Sequence, residues 1–280
     1  MIRILLLILA VSLPLVAHPQ QPKDRSITSD DFNKDRPNPK RPGRTRRYRQ
    51  ASPPLAKPLD LHSPSTLKAG VTLWKVERVG DGPARKEVAK RVEADTQFHE
   101  GDLLRLSIES PRPGYLYVIN RDWFTDGSSG GETNLIFPQR GEDNRLEAGK
   151  LIDIPGEDDE PFKASPKPKQ AGEMLTIIVT STPLSFPLTH DPLPISNTQL
   201  VAWEKKWSGM TERFEMNDGA GETRTIEEQE AASPTGTRQL TRNDPAPQTI
   251  YFLAPRSSDG LLFNLLLSYV RLKKSVMDRR

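Results

Sequence analysis

The chain has 280 residues, with 40 Lys plus Arg against 37 Asp plus Glu, 26 Pro, 18 Gly and no Cys. This composition excludes a collagen, a coiled-coil rod and a disulfide-stapled miniprotein. The hydrophobic share of 35% is low and unevenly distributed, so we expect one folded domain together with a substantial unfolded segment.

Residues 1–17 have the layout of a secretory signal peptide. Arg3 gives a positive start, residues 4–17 are uncharged and almost wholly apolar, and the small Ala17 precedes the polar His18. This apolar stretch is shorter than the roughly 20 residues that a membrane-spanning helix needs, although an uncleaved anchor is the alternative. We therefore expect export to the periplasm or the extracellular space, with no membrane span after signal removal.

Residues 18–68 are predicted to form a disordered, basic, Pro-rich tether. Ten Lys or Arg and four Asp within residues 23–50 give a net charge of +6, whereas residues 51–280 carry −4. Nine prolines and few large apolar side chains leave too little surface to bury. Such a segment can anchor to an anionic envelope polymer or to lipid head groups, or it can be a solubilising spacer; no nucleic acid is expected as a partner outside the cytoplasm. The candidate polyanion contacts are Arg41, Arg44, Arg46, Arg47 and Arg49.

Residues 69–272 are predicted to form a mainly β domain, followed by a basic tail at 273–280. Apolar residues recur at period two in short runs that are separated by Pro, Gly and Asp turn signals. Seven or eight such strands indicate an immunoglobulin-like antiparallel β-sandwich with one packed amphipathic helix. The runs are Val71–Val79, Leu104–Ile108, Tyr115–Ile119, Thr133–Phe137, Lys150–Ile154, Glu173–Thr182, Thr249–Leu253 and Leu261–Leu272.

Local patterns refine this prediction. The runs at 104–108 and 115–119 are predicted to pair as an antiparallel hairpin, with the second strand central in its sheet. Residues 84–98 have weak helical spacing and are assigned to a loop or a short helix. Residues 216–247 have few core residues and are predicted to be a polar excursion with one short acidic helical turn at 225–232.

One helix is predicted after residue 196, with Ser196 or Asn197 as its cap. Its apolar stripe could be a docking face for a partner, but a helix packed across a sheet is the commoner arrangement, so packing is expected. The residues of the stripe are Leu200, Trp203, Trp207, Met210 and Phe214.

Several blocks of the chain, taken in order, resemble a known family. They are GDLLRLSIESPRPGYLYVI at 101–119, LIFP at 135–138, the segment 149–155, GEMLT at 172–176 and DPAPQTIY at 244–251. These blocks are similar to DUF4384, a bacterial family of exported domains of unknown function, over about residues 70–272. The resemblance implies an accessory or sensing module, because members often accompany caspase-like, kinase-like or envelope-associated domains. It implies no catalytic residues.

No constellation of residues identifies a reaction. His99 and His190 lack the spacing of a zinc site, and Ser128 lies in a Ser/Gly turn without the strand and helix context of a nucleophile. No glycine-rich phosphate cradle is present in the sequence. A hydrolase with an unrecognised site is therefore an alternative only, and no cofactor is expected.

Two acidic clusters could attract a cation. Asp122, Asp126 and Glu132 provide oxygen donors that calcium accepts, but the full loop spacing is absent, so an ordinary Asp-Gly turn is preferred and no metal is expected. The run at 157–160 is interpreted as a solvated segment.

The strongest candidate for a binding site is the segment 120–126, interpreted as a loop after a central strand. Large aromatics on a loop are common anchors of recognition surfaces, although they can also fold back as a lid over the core. We expect non-enzymatic recognition at the bacterial cell envelope, with an envelope protein or an anionic polymer as partner. The candidate binding residues are Arg121, Asp122, Trp123, Phe124 and Asp126.

Overall fold

The computed structural model describes residues 27–38, 45–51, 58–80, 86–236 and 238–270. The predicted signal peptide at 1–17 and the predicted basic tail at 273–280 lie outside these residues. The described chain is mainly β and forms two sheets that pack face to face, which confirms the predicted sandwich.

Sheet A has nine strands, seven of which follow the order β1-β2-β14-β15-β3-β6-β10, with β11 also on β6 and β4 also on β3. These strands are β1 (Ile27–Thr28), β2 (Arg47–Gln50), β3 (Leu67–Val79), β4 (Lys86–Val92), β6 (Leu103–Glu109), β10 (Ile152–Ile154), β11 (Phe162–Lys163), β14 (Gly209–Met216) and β15 (Thr249–Pro255).

Sheet B has seven strands in the order β13-β8-β7-β12-β16-β5, with β9 also on β7. Its pairings are antiparallel except for the short parallel contact between β16 and β5. The strands are β5 (Gln97–Phe98), β7 (Gly114–Phe124), β8 (Ser129–Phe137), β9 (Arg145–Leu146), β12 (Gln170–Thr180), β13 (Leu193–Pro194) and β16 (Gly260–Tyr269). Three helices accompany the sheets: α1 (Ser29–Asn33), α2 (Asn197–Trp207) and α3 (Ile226–Ala232).

The main core lies between the two sheets. Alternate residues of each strand point inward, because successive side chains of a strand face opposite sides of its sheet. Strand β16 shows this alternation, since Phe263, Leu265, Leu267 and Tyr269 are all buried in this core. The ring of Phe263 stacks on Tyr251 of sheet A with centroids 4.2 Å apart, so aromatic packing joins the sheets.

The predicted hairpin of residues 104–108 and 115–119 is wrong. β6 belongs to sheet A and β7 to sheet B, so the connection at residues 110–113 crosses the sandwich. This connection contains two prolines, which cannot donate backbone hydrogen bonds to a hairpin ladder. Gly114 then enters sheet B where a Cβ atom would lie 2.9 Å from the Thr180 carbonyl oxygen. The second part of the prediction is confirmed, because β7 lies between β8 and β12.

Helix α2 covers the outer face of sheet B, as predicted. Ser196 is its N-cap, accepting a hydrogen bond from the backbone N–H of Gln199, and Leu200 and Trp207 are buried against the sheet. The helix ends at Trp207, however, so the predicted continuation through Met210 and Phe214 is wrong. These two residues lie in β14 of sheet A. Phe214 is buried in the cluster on the outer face of that sheet, and Met210 is 45% exposed.

The described part of the predicted tether is folded, which corrects the prediction of disorder there. β2 pairs with β14, β1 pairs with β2, and the side chains of Phe32 and Tyr48 are fully buried on the outer face of sheet A. Arg36 forms a buried ion pair with Glu109 of β6, at side-chain exposures of 0% and 1%. The segment therefore adds strands and core residues to the domain.

Two further segments are also more structured than expected. Residues 84–98, assigned to a loop or a short helix, provide β4 and β5. In the polar excursion 216–247, the acidic helical turn is confirmed as α3, which begins after the N-cap Thr225. The same excursion buries Leu240 and Ala246, so it covers sheet A and contributes to its packing.

Candidate functional site

The candidate site is the end of the β7–β8 hairpin. Arg121 to Phe124 are the last four residues of β7, so the prediction that they form a loop is wrong. The connecting turn is residues 125–128, in which the N–H of Gly127 donates to the Phe124 carbonyl and the N–H of Phe124 donates to the Ser128 carbonyl. The two aromatic side chains thus project from opposite faces of a central strand, which is a rigid support.

Trp123 and Phe124 are both partly exposed to solvent. Neither ring is a member of the apolar clusters that the described residues form. The register partners of Trp123 are the small residues Ser129 on β8 and Gly172 on β12, so no large side chain flanks the indole across the sheet. Phe124 lies over Gly130, whose Cβ position would be 3.0 Å from the ring. This placement favours an exposed anchor over a lid that covers the core.

Arg121 and Asp122 are engaged inside the protein. Arg121 pairs with Glu204 of α2, with 3.0 Å between Nη2 and Oε1. Asp122 Oδ2 lies 2.7 Å from the Lys167 ammonium, and Asp122 Oδ1 accepts a hydrogen bond from Gln170 Nε2 at 2.9 Å. Both side chains are largely covered, at 16% and 12% exposure. They hold the hairpin against α2 and the start of β12.

Asp126 closes the hairpin turn. Its Oδ1 accepts hydrogen bonds from the hydroxyl and the backbone N–H of Ser128, at 2.6 and 2.9 Å. These bonds lower the pKa of Asp126 from its ordinary value. Among the described residues no group of three or more His, Cys, Asp or Glu side chains is arranged to hold a metal ion. The geometry at Asp126 is that of the preferred Asp-Gly turn.

A polar cluster that the sequence analysis did not predict lies in the sandwich interior, next to the end of the β7–β8 hairpin. Glu173 accepts hydrogen bonds from Asn120 Nδ2 at 2.8 Å and from the Tyr269 hydroxyl at 2.6 Å. Burial and the neighbouring Glu173 raise the pKa of Tyr269 above its ordinary value. A signal was present, because Glu173 is a charged residue at a core-facing position of an otherwise apolar alternation, which requires polar partners.

The predicted polyanion contacts divide into three groups. Arg46 pairs with Glu222 and Arg49 with Glu93, each at 2.5 Å. Arg47 is an exposed residue of β2. Arg41 and Arg44 lie outside the described residues. The two ion pairs reduce the positive charge that this segment can offer to a polymer.

The residues considered for hydrolysis are dispersed. His99 follows β5 and its Nδ1 lies 3.9 Å from Asp102, whose carboxylate also pairs with Lys75 and accepts a hydrogen bond from the His99 backbone N–H. His190 is exposed in the segment before β13, and Ser128 donates its hydroxyl to Asp126. In the acidic run at 157–160, Glu157 accepts from Gln229 and Glu160 pairs with Arg78. These contacts place the run against α3 and the end of β3.

Comparisons with known proteins give one family. The model of the family described as "Domain of unknown function (DUF4384)" matches residues 97–183, which confirms the resemblance over a shorter range than the predicted 70–272. The matched range begins at β5 and ends after β12, so it contains the β7–β8 hairpin. No curated protein and no solved structure matches the chain. Within the described ranges, no helix has the length and apolar character needed to cross a membrane.

Proposed function

We propose that this protein is a non-enzymatic recognition module of the bacterial cell envelope that contacts its partner through the end of the β7–β8 hairpin. The observation that carries the proposal is the placement of Trp123 and Phe124, which are partly exposed outside the apolar clusters of the described chain. Aromatic side chains held on rigid elements lose little conformational entropy on binding, so they are frequent hot spots of recognition surfaces.

The surroundings of the aromatic pair favour a protein partner over a polyanion. Arg121 and Lys167 are matched by Glu204 and Asp122, so the hairpin end has no excess of positive charge. Contact there relies on burial of the rings and on hydrogen bonds to the polar turn. A protein surface with an apolar pocket fits this pattern, because pockets that receive aromatic anchors dominate the energy of protein interfaces.

The sequence supports the proposed cellular compartment. The predicted signal peptide at 1–17 and the resemblance to exported domains both favour a site outside the cytoplasm. The chain has no Cys, so export would not depend on disulfide formation. Stability in that compartment then depends on the core between the sheets and on the buried ion pairs.

The test is affinity capture with matched variants. The immobilised protein, Trp123→Ala and Val201→Ala are incubated with bacterial envelope extract, and retained proteins are quantified over a concentration series. Val201 is the control because it is a 59% exposed apolar residue of α2, outside the β7–β8 hairpin. Loss of a hot-spot aromatic removes about 2 kcal/mol or more, so half-saturation should shift roughly 30-fold for Trp123→Ala and stay constant for Val201→Ala.

Circular dichroism checks that both variants keep the β signal of the parent protein. The proposal fails if Trp123→Ala retains the same component with unchanged half-saturation. A component that both variants lose to the same extent would indicate binding elsewhere.

A further inference from the structure

A small pocket of about 140 Å³ lies at the opposite end of strand β7 from the hairpin. Three segments meet there: the residues just after α1, the loop that precedes β3, and the crossing connection between β6 and β7. β7 runs from Gly114 to Phe124, about 33 Å at the usual rise of a strand, so the pocket is separate from the aromatic site. The titratable side chains on its wall are Lys34, Asp35, His62, Lys68 and Arg112.

Lys68 is the central group of this pocket. Its position on β3 places it on the outer face of sheet A, where it is only 8% exposed and its ammonium lies 5.6 Å from the centroid of the Phe252 ring. The ammonium donates a hydrogen bond to the carbonyl oxygen of Asp31 at 2.5 Å. No ion pair within 4 Å joins Lys68 to a carboxylate of the described residues. Asp31 and Asp35 attract the ammonium only from a longer distance, and a buried ammonium without a directly paired carboxylate is unfavourable and uncommon.

Two other cations come from separate segments. Lys34 lies directly after α1. Burial of the Lys68 ammonium, together with repulsion from Lys34, lowers the pKa of Lys68 to about 8. Arg112 lies in the crossing connection and uses Nη2 to donate to the Pro64 carbonyl at 3.0 Å. A guanidinium has five N–H donors, and within the described part of the chain Arg112 uses one of them, so others can reach a ligand. Asp35 is the one carboxylate on the wall, which leaves the pocket with a positive excess.

We propose that this pocket binds a phosphate group. A phosphate dianion supplies several acceptor oxygens, and ammonium and guanidinium groups bind it through short charge-assisted hydrogen bonds. The volume of about 140 Å³ accommodates one phosphate group. Binding would give Lys68 a directly paired anion in addition to the longer-range attraction of Asp31 and Asp35. It would also join the N-terminal segment, through Lys34, to the crossing connection, through Arg112.

The probe is inorganic phosphate added to the full chain at pH 7 and constant ionic strength, with chloride as the matched salt. Isothermal titration calorimetry measures the dissociation constant, and thermal unfolding measures the ligand-dependent shift. The variants are Lys68→Met and Arg112→Gln, with Lys163→Met as the control. Lys163 is exposed on β11 and is not on the pocket wall.

Loss of one hydrogen bond to a charged group weakens binding by about 10- to 100-fold. We therefore expect Lys68→Met and Arg112→Gln to weaken phosphate binding at least tenfold, and Lys163→Met to change it less than twofold. Without phosphate, Lys68→Met should unfold at the same or a higher temperature, because an uncompensated charge is removed. A purely structural role for Lys68 would instead lower the unfolding temperature at every phosphate concentration.

The source of the phosphate group is distinguished by a second arm. Vesicles of phosphatidic acid in phosphatidylcholine are compared with phosphatidylcholine alone, using the same variants. Retention on phosphatidic acid that Lys68→Met abolishes indicates a lipid head group, and binding of free phosphate alone indicates a soluble ligand. The proposal is overturned if phosphate produces no shift beyond chloride, or if the parent protein and Arg112→Gln bind it equally.

Discussion

Arg36 connects the N-terminal segment to the domain, and its removal should destabilise the whole protein. The guanidinium donates to both carboxylate oxygens of Glu109, at 2.6 and 2.5 Å. It also donates to carbonyl oxygens of the excursion, among them Thr241 at 3.3 Å and Pro245 at 3.2 Å. The Arg36 side chain is fully buried, so these bonds are shielded from solvent in the folded protein.

The expected cost follows from the group that remains. In Arg36→Met the carboxylate of Glu109 stays buried without a cation, and removal of one partner from a buried ion pair costs roughly 3–5 kcal/mol. The double variant Arg36→Met/Glu109→Gln should recover most of that loss, because the uncompensated charge is gone. The control is Arg49→Met, whose pair with Glu93 is partly exposed, at 46% and 28%, and should cost less than about 1 kcal/mol.

Urea unfolding of the full chain, followed by tryptophan fluorescence and circular dichroism, measures these free energies. A loss below about 1 kcal/mol for Arg36→Met would refute the reasoning and restore the prediction of a disordered tether. Equal losses for Arg36→Met and Arg49→Met would show that burial of the pair has no energetic consequence.

Three further predictions concern Glu215, the core and α3. Burial raises the pKa of Glu215 to about 7, against an opposing effect of Arg213, so the carboxyl stabilises the fold below its unfolded pKa of 4.5 and loses that contribution as pH rises to about 7. Between pH 4.5 and 8, the free energy of unfolding of the parent protein should therefore fall by up to about 3 kcal/mol relative to that of Glu215→Gln. Parallel pH profiles of the two proteins would contradict this. Ile177→Ala should cost roughly 2–5 kcal/mol in urea unfolding, because Ile177 is fully buried between the sheets. Thr225→Ala should cost about 1 kcal/mol through loss of the capping box of α3, whereas Thr225→Ser should be nearly neutral.

Strands were predictable from the sequence because their patterns are local. Phe263, Leu265 and Leu267 recur at period two, and the structure buries all three in the core. Which strands pair was not predictable in the same way. Leu104–Ile108 and Tyr115–Ile119 have the same alternation whether they form a hairpin or lie in opposite sheets, and only the prolines between them favour the crossing.

The end of helix α2 shows a limit of periodicity. Met210 and Phe214 continue the three-and-four spacing of Leu200 and Trp207, but the chain changes to a strand at Gly209. A Cβ atom at Gly209 would lie 1.9 Å from the carbonyl oxygen of Ala254, so the pairing of β14 with β15 requires glycine at this position. This requirement comes from a strand about 45 residues further along the chain, and a local pattern does not contain it.

The N-terminal segment shows the limit of composition. Its few apolar residues include Ile27, Phe32 and Tyr48, and all three are buried. The average hydrophobicity of a segment therefore underestimates its tendency to fold when a few well-placed apolar side chains and a sheet edge are sufficient. At the candidate site, the aromatic residues were predictable, but the partners Glu204 and Lys167 come from distant elements and needed the structure.

The central claim is that Trp123 contacts the partner, and site-specific photocrosslinking tests it most directly. A benzophenone amino acid is placed at position 123 and, in a second sample, at position 201, and each protein is irradiated in bacterial envelope extract. We predict a discrete crosslinked protein from position 123 that is absent from position 201 and that excess unlabelled parent protein suppresses. The account is contradicted if both positions give identical crosslinks. It is also contradicted if position 123 gives no crosslink that excess unlabelled parent protein suppresses.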